Sequence, residues 1–181
     1  MNLPNILTLS RIIITFPVIF ALYFGAGEVH WIIFSAVLYL VAALTDFFDG
    51  YFARKMNQIT KLGKFMDQIS DKFLVTSVFL IFAYQGYVSF WLVFVVVARD
   101  ILVSGLRMNA ASEGKVIAAN YFGKAKTVLQ MTFVLFVYLE KIAGFDIPII
   151  FQIFQWSVIL ITAISGLTYL KDSYVFSEGG K

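Results

Sequence analysis

The chain has no cysteine, a single histidine, and only 14% charged residues among its 181. The missing thiols exclude disulfides, thiol catalysis and thiolate metal sites. The scarcity of charge is the stronger constraint. Soluble proteins carry about 25% charged residues and roughly 45–50% apolar ones. Here the apolar fraction is 60% and the mean hydropathy is +0.85. A soluble body this small has too much surface per volume to hide so much apolar side chain. Disorder, a secreted disulfide scaffold and a cytosolic enzyme are therefore excluded together, and the bilayer is left as the solvent. The net charge is only +3 and scattered, which argues against nucleic acid as a partner. Linkers, internal repeats and low-complexity tracts are also lacking, so a single domain over residues 1–181 is expected.

What the sequence does contain is a series of charge-free apolar stretches, at 12–27, 29–45, 73–98, 128–139 and 147–170. A membrane helix needs about 20 residues at 1.5 Å rise each. The long stretch 73–98 holds Tyr84-Gln85-Gly86-Tyr87 in its middle. Gln-Gly is turn chemistry, so this stretch divides into two helices at Gly86. The expected fold class is all-α and integral to the membrane, with six transmembrane helices at 4–25, 30–55, 62–84, 88–112, 118–142 and 148–171. Several of the apolar stretches are too short alone and borrow polar residues at one end. Pro17 is expected to kink the first helix. Residues 1–24 are expected to stay as a span, because their one basic residue, Arg11, abuts the apolar run.

An even number of spans puts both termini on one side. That side holds 13 of the 14 Lys and Arg residues, and the other holds only Lys141. The positive-inside bias makes the richer side cytoplasmic.

The carboxylates are gathered rather than scattered. The chain reads Asp46-Phe-Phe-Asp49-Gly50-Tyr-Phe-Ala53-Arg54, then eight residues, then Gly63-Lys-Phe-Met-Asp67-Gln-Ile-Ser-Asp71. Asp46 and Asp49 are about 60° apart on one helix face, and Asp67 and Asp71 about 40° apart on another. Both pairs are centred on positions 58–59, so a turn there brings four carboxylates to matching depth on antiparallel helices. Unpaired carboxylates in hydrocarbon are very costly. Protonation or bound cations would relieve that cost, and hard cations such as Mg²⁺ prefer oxygen ligands. Gly50, Ala53 and Gly63 leave room beside the carboxylates for a ligand or a closely packed helix. A lone intramembrane aspartate is often a structural hydrogen-bonding group, and a membrane glycine is often packing. Four aspartates at this paired spacing favour a site.

With every fixed position filled, eight identities over the 26 positions from Asp46 to Asp71, this pattern resembles the signature of the CDP-alcohol phosphotransferases. The resemblance implies two bound divalent cations, Mg²⁺ or Mn²⁺, under the pyrophosphate of a CDP-lipid such as CDP-diacylglycerol, and attack by an alcohol on the lipid phosphate. It places Asp46, Asp49, Asp67 and Asp71 at the metals, with Asp71 also as the base. It places Gly50, Ala53, Arg54 and Gly63 at the CDP group. It further implies a homodimer and a bacterial plasma membrane. Asn5 and Thr8 lie one turn apart at the cytoplasmic end of the first helix. With Arg11 they span about a third of the circumference, placed either to face the CDP group or to form an ordinary interfacial helix start behind Pro4.

The signature fixes the donor and leaves the acceptor open. Arg99 and Arg107 are eight residues apart on the fourth helix, and Gly123-Lys124-Ala125-Lys126-Thr127 opens the fifth. Topology alone accounts for Lys124 and Lys126. It does not account for Arg99, well inside an apolar helix, which is expensive without a partner. Arg99, Arg107, Lys124 and Lys126 together are expected to bind a phosphate dianion. Val103-Ser104-Gly105-Leu106-Arg107, the lysine segment and the opening Asn2-Leu3-Pro4-Asn5-Ile6-Leu7-Thr8-Leu9-Ser10-Arg11 are similar to the branch of the family whose acceptor is glycerol 3-phosphate. A phosphorylated inositol would want the same cations, and phosphatidylglycerol is a third acceptor class. A divalent-cation transporter would use the same carboxylates, but it would be expected to show related halves and broken helices near the midplane, whereas no such repeat is found and the carboxylates lie towards one end.

Overall fold

The computed structural model describes the backbone of residues 3–25, 27–55, 61–112 and 121–178, and side chains within 8–25, 27–45, 69–70, 72–110 and 121–171. Among the described residues there are six helices and no strand. They are α1 (Leu3–Phe24), α2 (Val29–Lys55), α3 (Lys61–Tyr84), α4 (Phe90–Ser112), α5 (Tyr121–Ala143) and α6 (Pro148–Glu178). Most ends fall close to those expected from hydropathy. The exception is α6, which continues to Glu178 instead of stopping at 171. Hydropathy marks where the apolar stretch ends, whereas a helix ends where its backbone is interrupted, and the next glycine is Gly179.

The turns follow from local chemistry. Gly86 and Gly144 have φ of 78° and 68°, a region open to glycine at no steric cost. Gly144 N–H donates to Glu140 C=O at 2.9 Å and closes the last turn of α5. Pro148 then opens α6 at its first position, where the missing N–H costs nothing. Pro17 lies inside α1, which is helical on both sides of it.

The chain divides into two compact units, Met1–Gln85 with Val134–Phe145, and Gly86–Phe133 with Asp146–Lys181. The first is built on α1, α2, α3 and the last part of α5. Val18, Leu22, Tyr39, Phe79 and Phe82 are fully buried there. A polar stitch runs through this apolar core. Ser35 Oγ donates to Val18 C=O at 3.0 Å, so Tyr138 OH donates to Ser35 Oγ at 2.7 Å, because a serine hydroxyl has one hydrogen to give. The second unit is built on α4, the first part of α5, and α6. Phe133 packs its ring against Phe151 and Phe154, with centroids 5.3 and 5.1 Å away.

The exterior is as apolar as the interior. Phe16, Phe20, Phe94, Ile153 and Leu167 are each more than half exposed, and exposed apolar surface on this scale marks a membrane-associated protein. Among the described residues, Tyr121–Ala143 and Pro148–Lys171 are long and apolar enough to cross a bilayer, while Thr8–Phe24, Val29–Thr45 and Lys72–Tyr84 are apolar but shorter. In α4, Arg99-Asp100 interrupts the apolar run.

Candidate active site

The carboxylate motif lies on the facing ends of α2 and α3. Asp46, Asp49, Gly50, Ala53 and Arg54 fall in the last turns of α2, and Gly63, Asp67 and Asp71 in the first turns of α3. The two helices end and begin at Lys55 and Lys61, centred on residue 58 as the carboxylate spacing requires. The side chains of these motif residues, and of Asn5, lie outside the described residues. Among the described residues no group of three or more His, Cys, Asp or Glu is placed to hold a metal.

Beside this motif the side chains of α1 are described. Thr8 is buried and Arg11 almost wholly so. Arg11 Nη1 donates to Ser70 Oγ at 2.9 Å. Ser70 is the neighbour of Asp71 and follows Asp67 by three residues. A buried guanidinium is therefore tied to the turn of α3 that carries two of the motif carboxylates. Sequence reading placed Arg11 on the cytoplasmic side and gave Ser70 no role. A lone serine carries no signal until its partner, 59 residues away, is known.

The second unit holds the basic cluster. Lys126 and Gln130 share one face of α5, and Thr162, Ser165 and Tyr169 share one face of α6. Gln130 Nε2 donates to Thr162 Oγ1 at 3.2 Å. From α4, Arg99 Nη1 donates to Asp100 Oδ1 at 3.1 Å and Nη2 to Ser165 Oγ at 2.7 Å. Lys126 Nζ donates to the same Asp100 Oδ1 at 2.6 Å. Arg107 Nη2 donates to Tyr169 OH at 2.6 Å. The guanidinium carbons of Arg99 and Arg107 lie 5.3 and 5.2 Å from the centroid of the Tyr169 ring, within cation–π range. Gly166 gives Arg99 its place, since a Cβ there would stand 3.2 Å from Arg99 Cγ.

Of the four cations expected to hold a phosphate, the structure thus brings Arg99, Arg107 and Lys126 together, while Lys124 is exposed. Only 10%, 8% and 6% of the Arg99, Asp100 and Lys126 side chains is exposed. The Nε groups of Arg99 and Arg107 are buried and have no hydrogen-bond partner among the described residues. Among the described residues of the cluster, three cations meet one carboxylate, an excess of two positive charges there, with Arg99, Asp100 and Lys126 largely out of water. That excess is costly alone and favourable beside an anion. Asp100, Ser165 and Tyr169 were missed from sequence. Asp100 did carry a signal, as a carboxylate next to an arginine inside an apolar helix. Ser165 and Tyr169 carried none, because on a membrane helix they pass for packing and interfacial residues.

The all-helical fold, the aspartate pattern on the α2–α3 ends and the basic cluster agree with one protein class: the chain belongs to the CDP-alcohol phosphatidyltransferase family, whose model matches residues 1–166. It is 33% identical to a CDP-diacylglycerol–glycerol-3-phosphate 3-phosphatidyltransferase of Bacillus subtilis over 96% of this chain and 95% of that protein. It is 37% identical to a protein of the same name from Rickettsia typhi over 94% and 96%, and 38% identical to one from Salmonella typhimurium over 72% of each.

Proposed function

We propose that this chain is a membrane phosphatidyltransferase that moves the phosphatidyl group of CDP-diacylglycerol onto glycerol 3-phosphate. The products are phosphatidylglycerophosphate and cytidine monophosphate. The observation that carries this reading is the meeting of Arg99, Arg107 and Lys126 around the buried Asp100 and Tyr169. A neutral alcohol has no use for such a cluster, whereas an acceptor that is itself a phosphomonoester requires one. The shared name of the relatives from Bacillus, Rickettsia and Salmonella supports the same acceptor.

In this reading the aspartate motif and the basic cluster divide the work. Asp46, Asp49, Asp67 and Asp71 form a donor set of hard oxygens without thiol or imidazole, which fits two Mg²⁺ or Mn²⁺ ions. When bound, such ions neutralise the pyrophosphate and the departing phosphate. Asp71 takes the proton of the acceptor hydroxyl, whose oxygen then bonds to the lipid-bearing phosphorus as the bond to cytidine monophosphate breaks. A base so placed contributes typically 10²–10⁴-fold. Gly50, Ala53, Arg54 and Gly63 hold the CDP group, with Asn5 and Thr8 at the start of α1. Arg11, fixed on Ser70, steadies the turn that carries Asp67 and Asp71. Arg99, Arg107 and Lys126 hold the acceptor's phosphate, which takes no part in bond making. Six spans, cytoplasmic termini, a bacterial plasma membrane and a homodimer complete the reading, the orientation resting on the 13-to-one division of basic residues.

Release of cytidine monophosphate from CDP-diacylglycerol by the purified protein in detergent tests the reading. Glycerol 3-phosphate, inositol phosphate, phosphatidylglycerol and glycerol serve as alternative acceptors. Turnover with glycerol 3-phosphate well above the others is expected. Preference for a neutral alcohol, or no release with any of them, would overturn it.

A further inference from the structure

Asp100 has no role in the chemistry above, yet it is the one anion in the described cluster. Its Oδ1 accepts from Arg99 Nη1 at 3.1 Å and from Lys126 Nζ at 2.6 Å. Those are two of the cations assigned to the acceptor's phosphate. A phosphate oxygen entering the cluster must therefore compete with this carboxylate for the same donors. The buried, unpartnered Nε groups of Arg99 and Arg107 are donors that Asp100 does not occupy and an incoming anion would.

We propose that Asp100 is a resident counterion that sets the affinity of the acceptor subsite. It keeps Arg99 and Lys126 paired and oriented while the subsite is empty, and it weakens the hold on the phosphate so that the product can leave. The product keeps the acceptor's phosphomonoester, because transfer occurs at the hydroxyl. Without Asp100 the same cations would bind substrate and product more tightly. This inference rests on the reading of the cluster as the acceptor-phosphate subsite.

The test uses the purified full chain and two anions of nearly the same shape, methyl phosphate as dianion and methyl sulfate as monoanion, as inhibitors competing with glycerol 3-phosphate. In the wild type, methyl phosphate should compete better by about tenfold or more. In Asp100→Asn the excess charge rises by one, and Coulomb attraction scales with ligand charge. Methyl sulfate should therefore tighten by roughly tenfold and methyl phosphate by roughly the square of that factor. The KM for glycerol 3-phosphate should fall, and kcat should fall with it as product release slows. A residue that only supports the fold would weaken both inhibitors instead. Asp100→Asn removes the anion that Arg99 and Lys126 share, so it should unfold at a lower temperature in phosphate-free buffer and regain more stability from inorganic phosphate than the wild type does. Asp100→Glu keeps the charge, and its inhibition constants should stay within about threefold of wild type. Unchanged or weaker inhibition in Asp100→Asn, or equal tightening in Asp100→Glu, would overturn the proposal while the subsite stands. Failure of methyl phosphate to compete in the wild type would remove the subsite, and the proposal with it.

Discussion

The carboxylate ends of α2 and α3 and the basic cluster of α4, α5 and α6 solve opposite problems in similar ways. Each gathers charged residues in an otherwise apolar chain, aspartates leading in one and cations in the other. The carboxylates fall within 26 consecutive positions on two helices separated by five residues. The cations come from three helices, and the Arg99–Ser165 contact spans 66 residues. The acidic region has a donor set suited to cations from outside. The basic region carries part of its own neutralisation in Asp100 and faces its arginines against the π surface of Tyr169. On the proposed reading the difference follows from what each would hold: metal ions would neutralise the aspartates, whereas a subsite for a substrate that comes and goes is better served by an anion that remains.

Four experiments test how far this division holds. The largest effect is expected from the acidic side. Asp67→Asn removes a charge with almost no change in volume, and turnover should fall by more than the 10–100-fold that loss of an outer-shell metal partner costs. A chelator should stop the wild type, with Mg²⁺ or Mn²⁺ restoring it. Substantial turnover in the mutant at saturating Mg²⁺ would take Asp67 out of the metal site. Next, Arg99→Ala and Arg107→Ala should each raise the KM for glycerol 3-phosphate by about ten- to 150-fold, from the loss of a charge-assisted hydrogen bond of roughly 1.5–3 kcal/mol. The KM for CDP-diacylglycerol should hardly move, and equal loss of both substrates would erase the division of work. The two lysines sharpen the point further. Lys126→Ala should raise the acceptor KM by about tenfold, because Lys126 is buried on Asp100. Lys124→Ala, at an exposed position, should stay within about twofold, since exposed charges are well screened. Steady-state kinetics showing equal effects would mean that both lysines serve topology alone. The smallest effect is expected from Tyr169→Phe. It removes the hydroxyl that accepts from Arg107 but keeps the ring beneath both arginines. An acceptor KM raised less than tenfold is expected, because the cation–π part of about 0.5–2 kcal/mol is retained. A loss as large as that of Arg107→Ala would assign the positioning to the hydroxyl instead of the ring.

The sequence by itself determined the membrane class, the helical content, the family pattern and the spacing of the aspartates on the ends of α2 and α3. These rest on properties that local spacing reports: runs of apolar residues, turn glycines such as Gly86, and carboxylates at i, i+3 and i, i+4 on helices sharing one turn. It also marked Arg99 as needing a partner, because the cost of a charge in an apolar helix is independent of what lies nearby. The tertiary structure alone decided who that partner is. Asp100 turns toward Arg99 and Lys126, Tyr169 lies beneath two arginines, Gly166 opens the space for one of them, and Lys124 stays outside while Lys126 goes in. Likewise Arg11 became a buried residue tied to α3 only once Ser70 stood beside it. The physical reason is the same in each case. A helix face is fixed by its own sequence, but the identity of the neighbouring face is fixed by how helices pack, and no spacing along one chain segment encodes the side chain that will stand across from it.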